Sequence, residues 1–124
     1  MTLKEKAMEM NTLSKLFNNR SKIAVKELYG QTISINEIDI LHDQKRDKDF
    51  IIAVCNEYPD NFFYGGTILS NMVIGLVNKY YGGSIDDFNA DAKAENLVIK
   101  MTEKQSKTKN SEGFYSTYTN VELV

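Results

Sequence analysis

The chain has no tryptophan, one proline, one cysteine and one histidine in 124 residues, and each scarcity removes a class of function. A single Cys and a single His cannot supply the roughly four ligands of a zinc site. Cys55 follows the apolar run Ile51-Ile52-Ala53-Val54 and reads as a small buried thiol rather than a nucleophile. His42 stands alone among charged residues and reads as a solvated loop side chain. No stretch approaches the roughly 18 apolar residues of a membrane span. The opening Met-Thr-Leu-Lys-Glu-Lys also lacks the apolar run of a secretion signal, so a cytoplasmic location is expected. The glycine pairs come without a phosphate-loop lysine or a preceding parallel strand. Asp86-Asp87 and Asp91 read as exposed acids, because no second carboxylate motif completes an octahedral shell. No enzyme, metal or cofactor is expected.

There is no excess of basic charge either. The formal net charge is −2, which excludes a protein that holds nucleic acid by bulk positive charge. The distribution is uneven, however. Residues 1 to 30 carry six Lys/Arg against three Glu, residues 31 to 99 carry five against eleven acids, and residues 100 to 124 carry four against three. A cationic groove is compatible with an acidic total, since phosphate feels mainly the charges within about 10 Å at moderate salt.

What is present is a length and a 42% hydrophobic content that suit one soluble domain. Residues 2 to 19 have helix-forming composition, interrupted at Asn11-Thr12 and ended by Asn18-Asn19. Residues 1 to 21 are therefore read as an N-terminal extension, helical or disordered, ahead of a domain over 22 to 124. Lys22 to Leu28 reads as a short strand and Tyr29-Gly30 as a bend. Gln31 to Leu41 reads as a long strand whose parity changes midway, from Ile33 and Ile35 to Ile38 and Ile40. An inward face survives that change only if an extra residue is accommodated near Asn36-Glu37, as in a β-bulge.

The wholly polar stretch His42 to Asp49 reads as a solvated loop. Phe50 to Glu57 is almost continuously apolar and predicts a central strand covered on both faces. Tyr58-Pro59-Asp60-Asn61 is a turn, with proline where type I and II turns favour it. Phe62 to Tyr64 is the third strand. The apolar positions 68, 69, 72, 73, 76, 77 and 80 then trace one helical stripe over 67 to 81, closed by Gly82-Gly83. Ser84 to Asn96 reads as polar and irregular. Leu97, Ile99 and Met101 mark a half-buried fourth strand, Gln105 to Gly113 a hairpin loop, and Phe114 to Leu123 a fifth strand. In that last strand Tyr115, Thr117, Thr119, Val121 and Leu123 share a face read as inward, and Phe114 and Tyr118 lie on the other.

Five strands with a helix between the third and fourth is the element order of the five-stranded Greek-key oligonucleotide-binding (OB-fold) barrel, an all-β fold with a minor helical part. Its binding face is framed by the loops between strands 1 and 2 and strands 4 and 5, and both are polar and lysine-bearing here. Asn-Phe-Phe-Tyr-Gly-Gly at 61 to 66 holds three consecutive aromatics, more than one strand face can bury. Phe62 and Tyr64 are the candidates for stacking on unpaired bases, with Phe63 in the core; Phe114 and Tyr118 join that surface. Lys104, Lys107 and Lys109 near the 4–5 loop, and Lys45, Arg46 and Lys48 in the 1–2 loop, are candidates for phosphate contacts. Asp43, Asp47 and Asp49 weaken the second group, and Lys22 and Lys26 extend the groove with less warrant. The plainer alternatives are a buried aromatic cluster and loops that merely solubilise.

Three segments resemble the small single-stranded DNA-binding proteins of bacteriophages of Gram-positive bacteria, lactococcal siphophages in particular. They are Glu27-Leu28-Tyr29-Gly30-Gln31-Thr32-Ile33-Ser34-Ile35, Asn61-Phe62-Phe63-Tyr64-Gly65-Gly66 with Ile68-Leu69, and Tyr118-Thr119-Asn120-Val121-Glu122. The resemblance covers about residues 22 to 124 and rests on order and spacing. It implies a dimeric oligonucleotide-binding barrel that coats single-stranded DNA in phage replication or recombination, with a recombinase or other replication protein as a further partner. Unlike the cellular single-strand-binding proteins, the sequence shows no acidic tail, so recruitment of host repair enzymes through one is not expected. The rival reading is a protein-interaction module on the same barrel, since a fold does not determine function. RNA in place of DNA is left open, because that choice rests on individual 2′-hydroxyl contacts.

Overall fold

The computed structural model describes residues 2, 3 and 14–124. Its strands are β1 (Ser21–Lys22), β2 (Thr32–Asp43), β3 (Lys48–Cys55), β4 (Asn61–Tyr64), β5 (Leu97–Lys109) and β6 (Tyr115–Leu123). The helices are α1 (Val25–Leu28), α2 (Gly66–Tyr80) and α3 (Ile85–Glu95). The strands form one curled half-barrel sheet in the order β1-β4-β3-β2-β5-β6, in which only β1 and β4 run parallel.

The bend of this sheet starts in β2. Pairing with β3 slips by one residue between Ile35 and Glu37, so Ile33, Ile35 and Ile38 all reach the core although their spacing alone would split them across two faces. The bulge expected near Asn36-Glu37 is therefore present. Before it, β2 pairs with β5 over Thr32–Ile35; beyond it, the side-chain amide of Asn89 on α3 takes over. The Ile38 N–H donates to Asn89 Oδ1 at 2.8 Å and the Ile38 carbonyl accepts from Asn89 Nδ2 at 3.0 Å, so a buried strand edge keeps its hydrogen bonds without a strand neighbour.

β3 is covered on both faces, as its continuous apolar run requires. Ile51, Ala53 and Cys55 join the main core with Phe63, Ile99, Met101 and the α2 stripe Leu69, Val73 and Val77. Ile52 and Val54 point the other way, into a smaller cluster with Phe62 and Leu16. Burial pushes the Cys55 thiol pKa up, in keeping with a packing role. The start of α2 is fixed against β3 by Ser70, whose buried Oγ accepts from the Ile51 N–H at 3.0 Å, and by Gly65, whose N–H donates to the Ile51 carbonyl at 2.9 Å. Any side chain at position 65 meets Ile51: a Cβ there would sit 2.5 Å from Ile51 Cγ1.

Several elements differ from the sequence reading. The helix expected over 2 to 19 falls mostly outside the described residues, and its described end is a single 3-10 turn, Lys15–Phe17, capped by Ser14. Lys22 to Leu28 is not one strand: β1 is two residues long and Val25–Leu28 is a helical turn. Ser84 to Asn96 is not irregular but helix α3, started by the Ser84 hydroxyl, which accepts from the Asp87 N–H, and by Asp86 and Asp87, whose charges suit a helix N-terminus. Two helices, not one, therefore separate the strands β4 and β5. The polar stretch after Leu41 is a tight hairpin rather than a loop, because β2 and β3 stay paired as far as Asp43 and Lys48. β5 likewise runs on to Lys109, leaving only Asn110–Phe114 as a turn, and the sheet has six strands where five were expected.

Candidate nucleic-acid interface

Four rings run in file along the outer face of β3 and β4. Phe17 packs edge-on against Phe62 at 4.8 Å, Phe62 against Tyr64 at 6.0 Å, and Tyr64 lies tilted to Phe50 at 5.7 Å. The file is closed at one end and open at the other. Phe62, a candidate stacking residue, is only 7% exposed because Leu16 and Phe17 cover it, so it is a core residue. Arg20 holds that covering segment down: its Nε donates to the Pro59 carbonyl at 3.0 Å and its guanidinium reaches the Leu16 carbonyl. Tyr64 is 36% exposed, and Lys22 on the adjoining β1 places its Nζ 4.7 Å from the ring centroid.

The open end of the file forms one wall of a cleft of about 830 Å³ between the β2–β3 turn and the start of α2. Phe50 and Tyr64 line it together with Arg46 and Lys48 from the turn and Thr67 and Asn71 from the helix. The first turn of α2 has no side-chain cap, which leaves backbone N–H groups of that turn without an intrahelical partner.

The β2–β3 turn deals with its own acids. Asp43 Oδ1 accepts from the N–H groups of Lys45 and Arg46 at 3.0 and 3.4 Å, and its other oxygen lies 3.9 Å from Arg46 Nε. Asp49 and Asp47 flank His42, at 2.8 Å from Nδ1 and 3.2 Å from Nε2. The hydrogen bond to Asp49, then the two negative charges, raise the His42 pKa above its ordinary value. His42 is thus a half-exposed partner of two carboxylates rather than a freely solvated side chain. With those acids engaged, Lys45 and Lys48 are left without a carboxylate partner among the described residues.

The remaining candidates lie elsewhere. From Glu103 to Tyr118 the β5–β6 hairpin is exposed on both faces, apart from a half-buried Ser106, and Lys104, Lys107, Lys109, Phe114 and Tyr118 all belong to it. None of them lines the cleft. Lys104 pairs across the ribbon with Tyr118, and Lys109 with Tyr115, over whose ring its Nζ sits at 5.7 Å. Tyr115, read as inward, is 46% exposed, and Leu123, read likewise, is also exposed, so of that face only Thr119 and Val121 are partly buried. Lys26 lies on α1, away from the cleft.

Phe50 is the residue that the sequence reading left in a featureless apolar strand. Its parity with Ile52 and Val54, next to the charged β2–β3 turn, marks it as the half-buried end of the second apolar face. No family model matches the chain, and neither a curated protein nor a solved structure matches it.

Proposed function

We propose that this chain binds single-stranded DNA without sequence preference, through the rings of Tyr64 and Phe50 and the cations Lys22, Lys45, Arg46 and Lys48 around them. The observation that carries the reading is the pairing of two rings on one outer face with a turn whose three acids are held by His42 and by the turn's own N–H groups, which leaves Lys45 and Lys48 without a carboxylate partner among the described residues. Stacking is worth about 1 to 3 kcal/mol per base and suits any base, since all four present a π-face. Lys22 lies over the Tyr64 ring, so an incoming base takes its place and the displaced ammonium stays beside the phosphate that follows.

An oligonucleotide-binding barrel is the architecture that fits. In β2 to β6 the first strand pairs with the second and the fourth, and the turn between the first two borders the cleft. On this reading the chain coats single strands during phage replication or recombination, as the proteins it resembles do, and β6, unpaired on its outer side among the described residues, offers an edge for a homodimer.

The test is titration of oligo-dT at several salt concentrations, followed by tyrosine fluorescence, which no tryptophan obscures. About four to six phosphate contacts predict a slope of log affinity against log salt of roughly −3 to −4. Absence of binding by micromolar protein at low salt would refute the reading and favour a protein-interaction module.

A further inference from the structure

The β5–β6 hairpin carries more structure than a loop that merely neutralises phosphate would need. Its tip is organised by one residue. Asn110 donates its N–H to the Phe114 carbonyl at 2.8 Å, its Oδ1 accepts from the N–H groups of Phe114 and Glu112 at 3.1 and 2.9 Å, and its carbonyl accepts from Gly113 N–H at 3.0 Å. Gly113 supplies the left-handed φ of +84° that the tight return requires. The result is an aromatic ring, Phe114, that is 66% exposed on a backbone tied by four hydrogen bonds. An exposed apolar ring held this way has lost its backbone freedom before any ligand arrives, which lowers the entropic cost of binding.

The flanking charges are arranged on two sides. In a ribbon, residues an odd number of positions apart lie on opposite faces. β5 is irregular between Gln105 and Lys109, so the faces are set by β6, where Tyr115 and Tyr118 are three positions apart: Lys104 lies with its partner Tyr118 on one face, and Lys109 with Tyr115, over whose ring its Nζ sits, on the other. Both faces are solvent-exposed along this stretch. A single strand crossing the ribbon would use one of the two Lys-Tyr pairs. Two backbones that diverge around the tip would use both, with Phe114 between them.

The geometry points to a DNA fork, the boundary between duplex and single strands, as the ligand of this arm: Phe114 wedges against the terminal base pair while Lys104 and Lys109 each meet the phosphates of one departing strand. Apolar side chains inserted at base steps are an established way for proteins to unstack bases and kink a duplex. This inference rests on the single-strand reading and extends it, because the cleft then takes one of the strands that the arm separates.

The experiment compares three probes with the full chain: oligo-dT, a blunt duplex, and a forked duplex with oligo-dT tails of the same unpaired length, carrying 2-aminopurine at its last base pair. Unaltered protein is expected to bind the fork at least about fivefold more tightly than oligo-dT, the low end of what one stacked ring contributes. It should also raise the 2-aminopurine emission as that base unstacks. Phe114→Ser is expected to abolish both effects while leaving oligo-dT affinity within about twofold, and the exposed position keeps the fold intact, to be checked by melting. Lys104→Ala and Lys109→Ala are each expected to reduce the fork preference. Equal affinity for fork and oligo-dT, or a Phe114→Ser variant that weakens both alike, overturns the fork assignment and leaves the single-strand reading standing. Failure to bind any of the three probes removes both.

Discussion

Alanine in place of Phe62 and of Tyr64, one at a time, separates a structural ring from a binding ring two positions apart. Phe62 is 7% exposed and packs on Phe17 at 4.8 Å, so Phe62→Ala leaves a cavity in the smaller cluster, at a cost of about 3 to 5 kcal/mol. For a domain of this length each kcal/mol shifts the melting temperature by roughly 3 to 5 °C, so a fall of about 9 to 25 °C is expected. Tyr64 is 36% exposed and touches the same file from its open end, so Tyr64→Ala is expected to change stability by only about 1 kcal/mol. Its effect belongs to binding: loss of one stacked base weakens oligo-dT affinity by roughly 5- to 150-fold. The assays are thermal melting and a fluorescence titration at one salt concentration. Phe17→Ala should reproduce part of the Phe62→Ala loss, and the double variant should fall short of the sum by about 0.5 to 1.5 kcal/mol, the coupling of an edge-on aromatic pair. A Phe62→Ala protein that melts normally yet fails to bind, beside a Tyr64→Ala protein that binds normally, would refute the assignment of faces.

Two further outcomes test the geometry around the cleft. Gly65→Ala should destabilise by about 1 to 3 kcal/mol in a melting experiment, because the new Cβ would lie 2.5 Å from Ile51 Cγ1 inside a packed core, although the φ of −70° at this position suits alanine. Gly75→Ala, in the same helix with nothing within 4 Å of its Cβ, is the control and should stabilise by about 0.5 to 1 kcal/mol. His42 should titrate by NMR above its ordinary pKa of about 6.5, and Asp49→Asn should bring it down. Since the folded-state pKa is the higher one, the contribution of this cluster to stability is fully present below the unfolded value and is lost as pH rises through the folded value. An unshifted His42 would show that the carboxylates do not flank it in solution.

Local pattern carried a good part of the fold. The change of isoleucine parity in β2 placed the bulge, the unbroken apolar run placed β3 at the centre of the sheet, and the stripe ending at Tyr80 placed α2 almost to the residue. Helix α3 was legible too, in the Ser84 cap and the spacing of Ile85, Phe88 and Ala92, but its polar composition hid it. The lysines of the β5–β6 hairpin were legible as charges; that they sit on two faces of an exposed ribbon depends on how far the strands remain paired.

Strand alternation by itself determined that Phe63 and Tyr64 part company and that Phe62 goes with Tyr64. It had no means of telling which part of that shared face stays open, because a sheet has two sides and the cover for one of them comes from a segment distant in the chain. Leu16 and Phe17, held by Arg20, bury Phe62 and stop short of Tyr64. Tertiary packing alone decided that on this face Tyr64 stays exposed and Phe50 half-buried while Phe62 is covered, and the physical reason is that burial depends on what a surface meets in space, whereas alternation records only the direction in which each side chain leaves the backbone.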